Sequence, residues 1–215
     1  MSAFRGDRKR RANGEESRRR ILDAAAEVAG ERGYEGTSIA LVSARCGLPA
    51  SSIYWHFQNK DDLIAAVIER SFGIWLNAFT IADDADPGLE QIRAVAAQTA
   101  KTLLDSPDFL RLGLMLVLER RPEEPSARQM FLRVRATAHA QISAMLARIA
   151  PDADHDTVEL LTTYAIAAAD GLFIAKEIGG DSIDLVRLFE LHARALHDVL
   201  GRLTTPGGVP EQDAR

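Results

Sequence analysis

The sequence predicts an all-α protein, and three observations carry that prediction. Alanine and leucine are plentiful while aromatic residues make up 6% of the chain, a composition that favours helices over strands. Apolar residues recur at spacings of three and four along most of the 215 residues, and no alternating strand pattern or internal repeat interrupts them. Glycines and prolines fall mainly between these periodic stretches, where helices end.

Taken in order, residues 1–16 are polar, charged and aperiodic, and are expected to be a disordered basic arm. A helix should start at Ser17 as its N-cap, carry Ile21, Ala24, Ala25 and Val28 inward, and stop at Gly33. Thr37 or Ser38 caps a short second helix with Ile39, Val42 and Cys46 inward. Gly47-Leu48-Pro49 makes a turn into a third helix, about 50–56, that buries Ile53 and Phe57. Asn59 caps a long fourth helix carrying Leu63, Ile64, Val67, Ile68, Phe72, Trp75, Leu76 and Phe79, with Asp61 and Asp62 near its positive end. Breaks at Pro87, Pro107, Pro122, Pro125 and Pro151 delimit amphipathic segments near 88–105, 108–121, 125–149 and 153–178. A last helix follows from about Ser182 to Leu203, and 205–215 is expected to be a disordered tail. The count comes to about nine helices, in a domain over 17–62 and a larger one over 63–204.

Several function classes find no support. No run of about 18 apolar residues escapes interruption by charge, so no membrane span and no membrane partner are expected. The basic N-terminus has no apolar segment behind it, unlike a secretory signal. A single cysteine, Cys46, allows no internal disulfide or cysteine-rich zinc site; it reads as inert core, with redox sensing the minority reading. A cytoplasmic location is the plain expectation. No G-x-S-x-G, phosphate-binding glycine loop or H-E-x-x-H is present, and His139, His155, His192 and His197 are scattered. The expectation is therefore a protein that is not an enzyme and has no cofactor or metal.

Charge is unevenly spread. Residues 1–20 hold eight basic side chains against three acidic ones, whereas residues 63–215 hold 15 basic against 22 acidic. A basic arm on an acidic body suits an anionic partner at one end; a solvated tail is the alternative.

Two short helices joined by a glycine-containing turn have helix-turn-helix geometry. With Ile39, Val42, Leu48, Ile53 and Phe57 pinning them, Ser51, Ser52, Tyr54, Trp55 and His56 are left on or near the outer surface of the second. Such a helix can enter a major groove, although the same pairs also serve as plain packing units. Tyr54 and Trp55 could equally be core aromatics, and a lone His56 would ordinarily be structural. Arg18, Arg19 and Arg20 sit where a helix dipole disfavours cations; a nearby phosphate would explain them, as would solvent screening or, for Arg20, a salt bridge.

Residues 17–63 resemble the DNA-binding domain of the TetR family. The pattern is Arg20-Ile21-Leu22, Ala24-Ala25, Gly33, Thr37-Ser38, Gly47-Leu48 and the run Ile53-Tyr54-Trp55-His56-Phe57, then Lys60 and Leu63, without a gap. The resemblance implies a homodimeric regulator that binds a double-stranded DNA operator and responds to a small-molecule effector. It places Thr37 and Ser38 at a phosphate, Tyr54 and His56 on backbone or bases, and Lys60 on a phosphate. Ala50, Ser51 and Ser52 lead the recognition helix, and Trp55 joins the candidate set. None of those three leading residues has the bidentate reach of Arg, Asn or Gln, so discrimination leans on Tyr54, thymine methyls, DNA shape and the arginine arm. Pro49 stands where the family often has a serine or threonine cap.

The later helices match the family only in layout. Residues 109–118 are apolar nearly all round, as a helix buried on every side would be, and Gly113 within them marks close packing or room for a ligand. The resemblance places a ligand cavity among the middle helices. Phe109, Leu112, Met115, Leu116 and Phe131 are candidates to line it, together with Val134, Leu161, Tyr164, Ala168 and Phe173. Arg111, Glu119, His139, Tyr164 and Asp170 could orient a ligand. The last two helices resemble the family's dimer interface, with Leu185, Leu188, Phe189, Leu196, Val199 and Leu200 as its apolar seam. The function expected is a repressor released from its operator by a small, largely apolar molecule. The alternatives are a constitutive DNA-binding regulator without ligand, and a helical enzyme or scaffold.

Overall fold

The structure, a computed structural model, describes residues 3–78, 88–118 and 125–204. The expected helix end at Phe79, the segment 119–121 with Glu119, and the tail 205–215 lie outside these. Among the described residues there is no strand, and the helices are α1 (Ala3–Gly36), α2 (Ile39–Cys46), α3 (Ala50–His56), α4 (Lys60–Ala78), α5 (Leu89–Asp105), α6 (Asp108–Leu118), α7 (Ser126–Ile149), α8 (His155–Gly179) and α9 (Leu185–Thr204). They group into two compact units, 1–74 with 106–134, and 75–105 with 135–215.

Two helix starts differ from expectation. The first helix runs back to Ala3, so Ser17 lies inside it and caps nothing, and the stretch expected to be disordered is helical. Its alanine, arginine, lysine and glutamate are good helix formers, and residues 12–16 bury no side chain. The last helix begins at Leu185 rather than Ser182, which sits in a short 3-10 turn; Asp184 supplies the cap by accepting the Arg187 N–H at 3.0 Å.

In the first unit, α1 buries Ile21, Leu22, Ala25 and Val28, and α4 buries Leu63, Ile64, Val67 and Ile68. Gly33 breaks α1 with a positive φ of 68°. α6 packs on α1, and its Phe109 ring lies 6.0 Å from Phe72 and 5.6 Å from Phe131. It is not buried all round, as its apolar sequence implied: Met115 and Leu118 are exposed. Gly113 answers the question its position posed. A Cβ there would fall 2.0 Å from the Phe131 ring, so the glycine marks close packing and not a space.

In the second unit, α9 packs on both α5 and α8. Ile92, Ala96, Ala100 and Leu103 of α5 are buried, as are Leu185, Phe189, Ala193, Leu196 and Leu200 of α9. Arg93 of α5 bridges Glu190 of α9 at 3.0 Å. Four residues assigned to a dimer seam (Leu185, Phe189, Leu196 and Leu200) are thus consumed inside the chain; of that set, Val199 is exposed and Leu188 half-buried. Periodicity marks the apolar face of a helix but cannot say whether the same chain covers it.

Residues 155–182 are long and apolar enough to cross a membrane by length and composition, contrary to expectation, and 28% of the most apolar window is buried. Asp170, near its middle, is met by Arg135 of α7 in a bidentate pair at 2.6 and 3.0 Å. The outer face of α8 carries an apolar stripe at spacings of four and three: Leu160 (67% exposed), Tyr164, Ala167, Gly171, Ile174 and Ile178 (83% exposed).

Two outcomes follow for stability. Gly113→Ala should lose about 1–3 kcal/mol through overpacking, while Gly73→Ala, with nothing within 4 Å of the added Cβ, should gain up to about 1 kcal/mol; paired urea melts read both. Burial lowers the pKa of His192, against the pull of a hydrogen bond to the Ala165 backbone. The unfolded chain therefore takes up this proton first, and stability is lost as pH falls below the unfolded value of about 6.5. His192→Gln should flatten that part of the loss between neutral pH and about pH 5 in urea melts across pH.

Candidate nucleic-acid interface and helical clefts

A helix as short as α3 has little stability of its own, so its orientation must come from what holds it. Ser38 caps α2, its Oγ accepting the Leu41 N–H at 3.3 Å. Gly47 ends α2 in the left-handed region (φ 66°, ψ 25°), a conformation that suits glycine, and its N–H donates to the Ser43 carbonyl at 3.0 Å. The Ser43 hydroxyl donates across the turn to the Leu48 carbonyl at 2.7 Å. Pro49 then stands at the N-cap of α3 with extended backbone and no side-chain hydrogen bond. Ile53 and Phe57 are buried and anchor α3 inward.

Three arginines brace this unit from α1 and α2. Arg45 of α2 pairs with Glu27 at 2.9 Å and Glu31 at 2.8 Å, and these carboxylates raise its pKa further. Arg20 donates to the Cys46 carbonyl at 2.7 Å, which is neither the phosphate contact nor the salt bridge considered for it. Arg18 lies 5.4 Å above the Phe57 ring. Cys46 is buried, as inert core requires.

What remains outward is an aromatic face. Tyr54 is 56% and Trp55 76% exposed, so neither is a core aromatic. Trp55 stands edge-to-face on His56 at 4.6 Å, and its ring lies beside Gly14 of α1. His56 is half-buried; burial and then the Arg18 charge lower its pKa. Ser51 is exposed on the same helix, while Ala50 and Ser52 are half-buried.

Two candidates are placed differently. Thr37 is 2% exposed, and its hydroxyl donates to the Gly33 carbonyl at 2.7 Å, closing the break in α1. It is a packing residue, not a surface donor, which leaves Ser38 alone of the pair at the surface. Lys60 is half-buried: its Nζ donates to the Tyr34 carbonyl at 3.1 Å, sits 4.3 Å above the Tyr34 ring and 3.7 Å from Glu35. Sequence reasoning missed Arg18, Tyr34 and Arg45 as organisers of this face, because their partners are set by tertiary packing.

The ten ligand-lining candidates divide between the units. In the first, Phe109, Leu112, Leu116, Phe131 and Val134 are buried and Met115 is exposed; in the second, Leu161 and Phe173 are buried, Ala168 half-buried and Tyr164 exposed. Two clefts between α7 and α8 lie in the second unit, of about 620 and 360 Å³, and none of the ten lines either. His139 lines both, and Asp170 lines the smaller, so two of the polar candidates are found there. Glu159 accepts the Ser143 hydroxyl at 3.0 Å and lies 3.8 Å from His139. Asp170 has its pKa raised by burial against the pull of Arg135.

Comparison with known proteins agrees with this geometry. Residues 21–67 match the profile described as bacterial regulatory proteins, tetR family. An HTH-type transcriptional repressor of Mycobacterium tuberculosis is 31% identical over 115 residues, 54% of this chain and 44% of that protein. The HTH-type transcriptional regulator AcrR of Shigella flexneri is 34% identical over 64 residues, 30% of each chain. These matches thus span less than half the length of either relative. The fold is that of the fatty acid degradation regulator FadR from Bacillus halodurans (TM-score 0.71, 16% identity, 84% of this chain and 94% of that one). It is also that of SmeT, the repressor of the Stenotrophomonas maltophilia multidrug efflux pump SmeDEF (TM-score 0.67, 22% identity, 92% and 96%). The helix-turn-helix thus lies within the residues that match the tetR family profile, and the chain around it shares its fold with these solved structures.

Proposed function

We propose that this chain is a homodimeric DNA-binding transcriptional regulator, acting as a repressor that a small, largely apolar effector releases from its operator. The observation that carries the reading is α3: a seven-residue helix fixed by Ile53 and Phe57, with Tyr54 and Trp55 held out to solvent. Exposing two large aromatics on a braced helix costs free energy in isolation and is recovered when they meet a partner surface. Ser38, Ser51, Ser52, His56 and Lys60 complete the contact set. Lys60 keeps N–H capacity beyond the Tyr34 carbonyl for a phosphate oxygen.

The dimer reading moves to the outer stripe of α8, joined by exposed Leu191, Val199 and Leu203 of α9. A stripe at alternating spacings of four and three suits a helix–helix seam. Effector binding rests on the clefts between α7 and α8, walled by alanines with His139 and Glu159 as polar groups. The close fit of Phe131 on Gly113 favours the second reading, a constitutive regulator, because that part of the interior has no room to spare. A thermal-shift screen of apolar compounds, with DNA affinity measured for each binder, separates the two.

Tyr54→Ala and Trp55→Ala should each weaken binding to operator DNA by about ten-fold, with the dependence on salt unchanged. A fluorescence titration in which neither variant moves the affinity overturns the DNA-reading role of α3. The double variant Leu160→Glu with Ile178→Glu should sediment as a folded monomer at micromolar concentration. Persistence of a dimer would show that the seam lies elsewhere.

A further inference from the structure

The start of α7 poses a capping problem. Its N-cap residue is Pro125, whose carbonyl accepts the Gln129 N–H at 3.1 Å but whose ring has no oxygen to offer the first-turn N–H groups. Those groups are satisfied from far along the chain. The Ser126 N–H donates to Asp61 Oδ2 at 2.6 Å, and the Ala127 N–H donates to Asp61 Oδ1 at 3.1 Å. Asp61 belongs to the first turn of α4, immediately after Lys60. Its Oδ1 also accepts the Tyr34 hydroxyl at 3.2 Å, and Tyr34 is the residue whose carbonyl and ring hold the Lys60 ammonium.

We propose that Asp61 is a positioning residue that couples the DNA-reading helices to α7; this rests on the DNA-binding reading above. One carboxylate serves the positive ends of two helices, α4 and α7, and the end of α1 through Tyr34. Lys60 shares that same tyrosine, so a phosphate drawing on Lys60 pulls on a cluster that Asp61 ties to α7. From Ser126 the helix continues unbroken to Ile149, and Arg135, His139 and Ser143 along it line the two clefts.

The test uses the full chain with a mixed-sequence duplex of about 40 bp at low salt, read by amide hydrogen exchange. In the wild type, DNA should slow exchange at residues 50–57 and also, by about five-fold, at residues 127–131. Asp61→Ala should keep the first response and lose the second. Because that variant could fray α7, Ser126→Pro is the companion: it deletes the shorter of the two N–H contacts that Asp61 accepts, at a first-helical position where proline is tolerated, and it should weaken the second response. A cap that is only structural would change exchange at 127–131 equally with and without DNA. The proposal is overturned if both variants keep the DNA-induced slowing at 127–131, or if the wild type shows protection at 50–57 and none at 127–131. Absence of protection at 50–57 in the wild type would instead overturn the DNA-reading role of α3, and the coupling with it.

Discussion

Everything on the aromatic face of α3 depends on anchoring a helix too short to stand alone. Seven residues close few backbone hydrogen bonds, so α3 exists because Ile53 and Phe57 are buried and the turn at Gly47 delivers it at one angle. The braces around it serve that angle. Arg45 fastens α2 to α1 through two carboxylates, Arg20 takes up the carbonyl at the end of α2, and Arg18 covers Phe57. Most of these pairs are exposed and individually weak, but they converge on one small body and reinforce a geometry already set by packing. The result is a rigid platform on which two aromatic side chains can be left in water.

The same economy recurs where helices begin. Ser38, Asn59, Asp154 and Asp184 each cap a helix from a local position, as their neighbours in sequence allow. α7 has proline in that place and borrows its cap from Asp61. A local cap stabilises only its own helix, whereas a borrowed one also fixes two distant segments against each other. This converts an ordinary requirement of helix ends into a tertiary constraint.

The helix-turn-helix was legible because each of its parts is a local signal: a serine cap, a glycine at the C-terminal end of α2, a proline at the next start, and apolar residues at fixed offsets. The α3 boundaries and the inward positions of Ile53 and Phe57 were read directly from that pattern. Features that depend on who covers a face were not legible. Leu196 and Leu200 look the same in sequence whether α5 or a second chain buries them, and Thr37 looks like a surface cap until the Gly33 carbonyl claims its hydroxyl. The helical arm escaped because amphipathic periodicity was the signal sought, and this stretch carries its helix signal in residue propensity instead. The clefts escaped because alanines at 136, 140, 144 and 147 register as helix formers, while their effect is to leave space.

The meeting of Phe131 with Gly113 reaches beyond this one chain. The ring occupies the volume that any side chain at 113 would claim, so the two positions share one allotment of space. A lineage that acquires even a methyl group at 113 has to surrender the aromatic ring at 131, or move the helix that carries it. Either change by itself destabilises the chain, and the route between the two packings runs through a loosened core. Homologous chains should therefore fall into two camps at this pair, glycine with a ring or a side chain with something smaller, with few sequences in between.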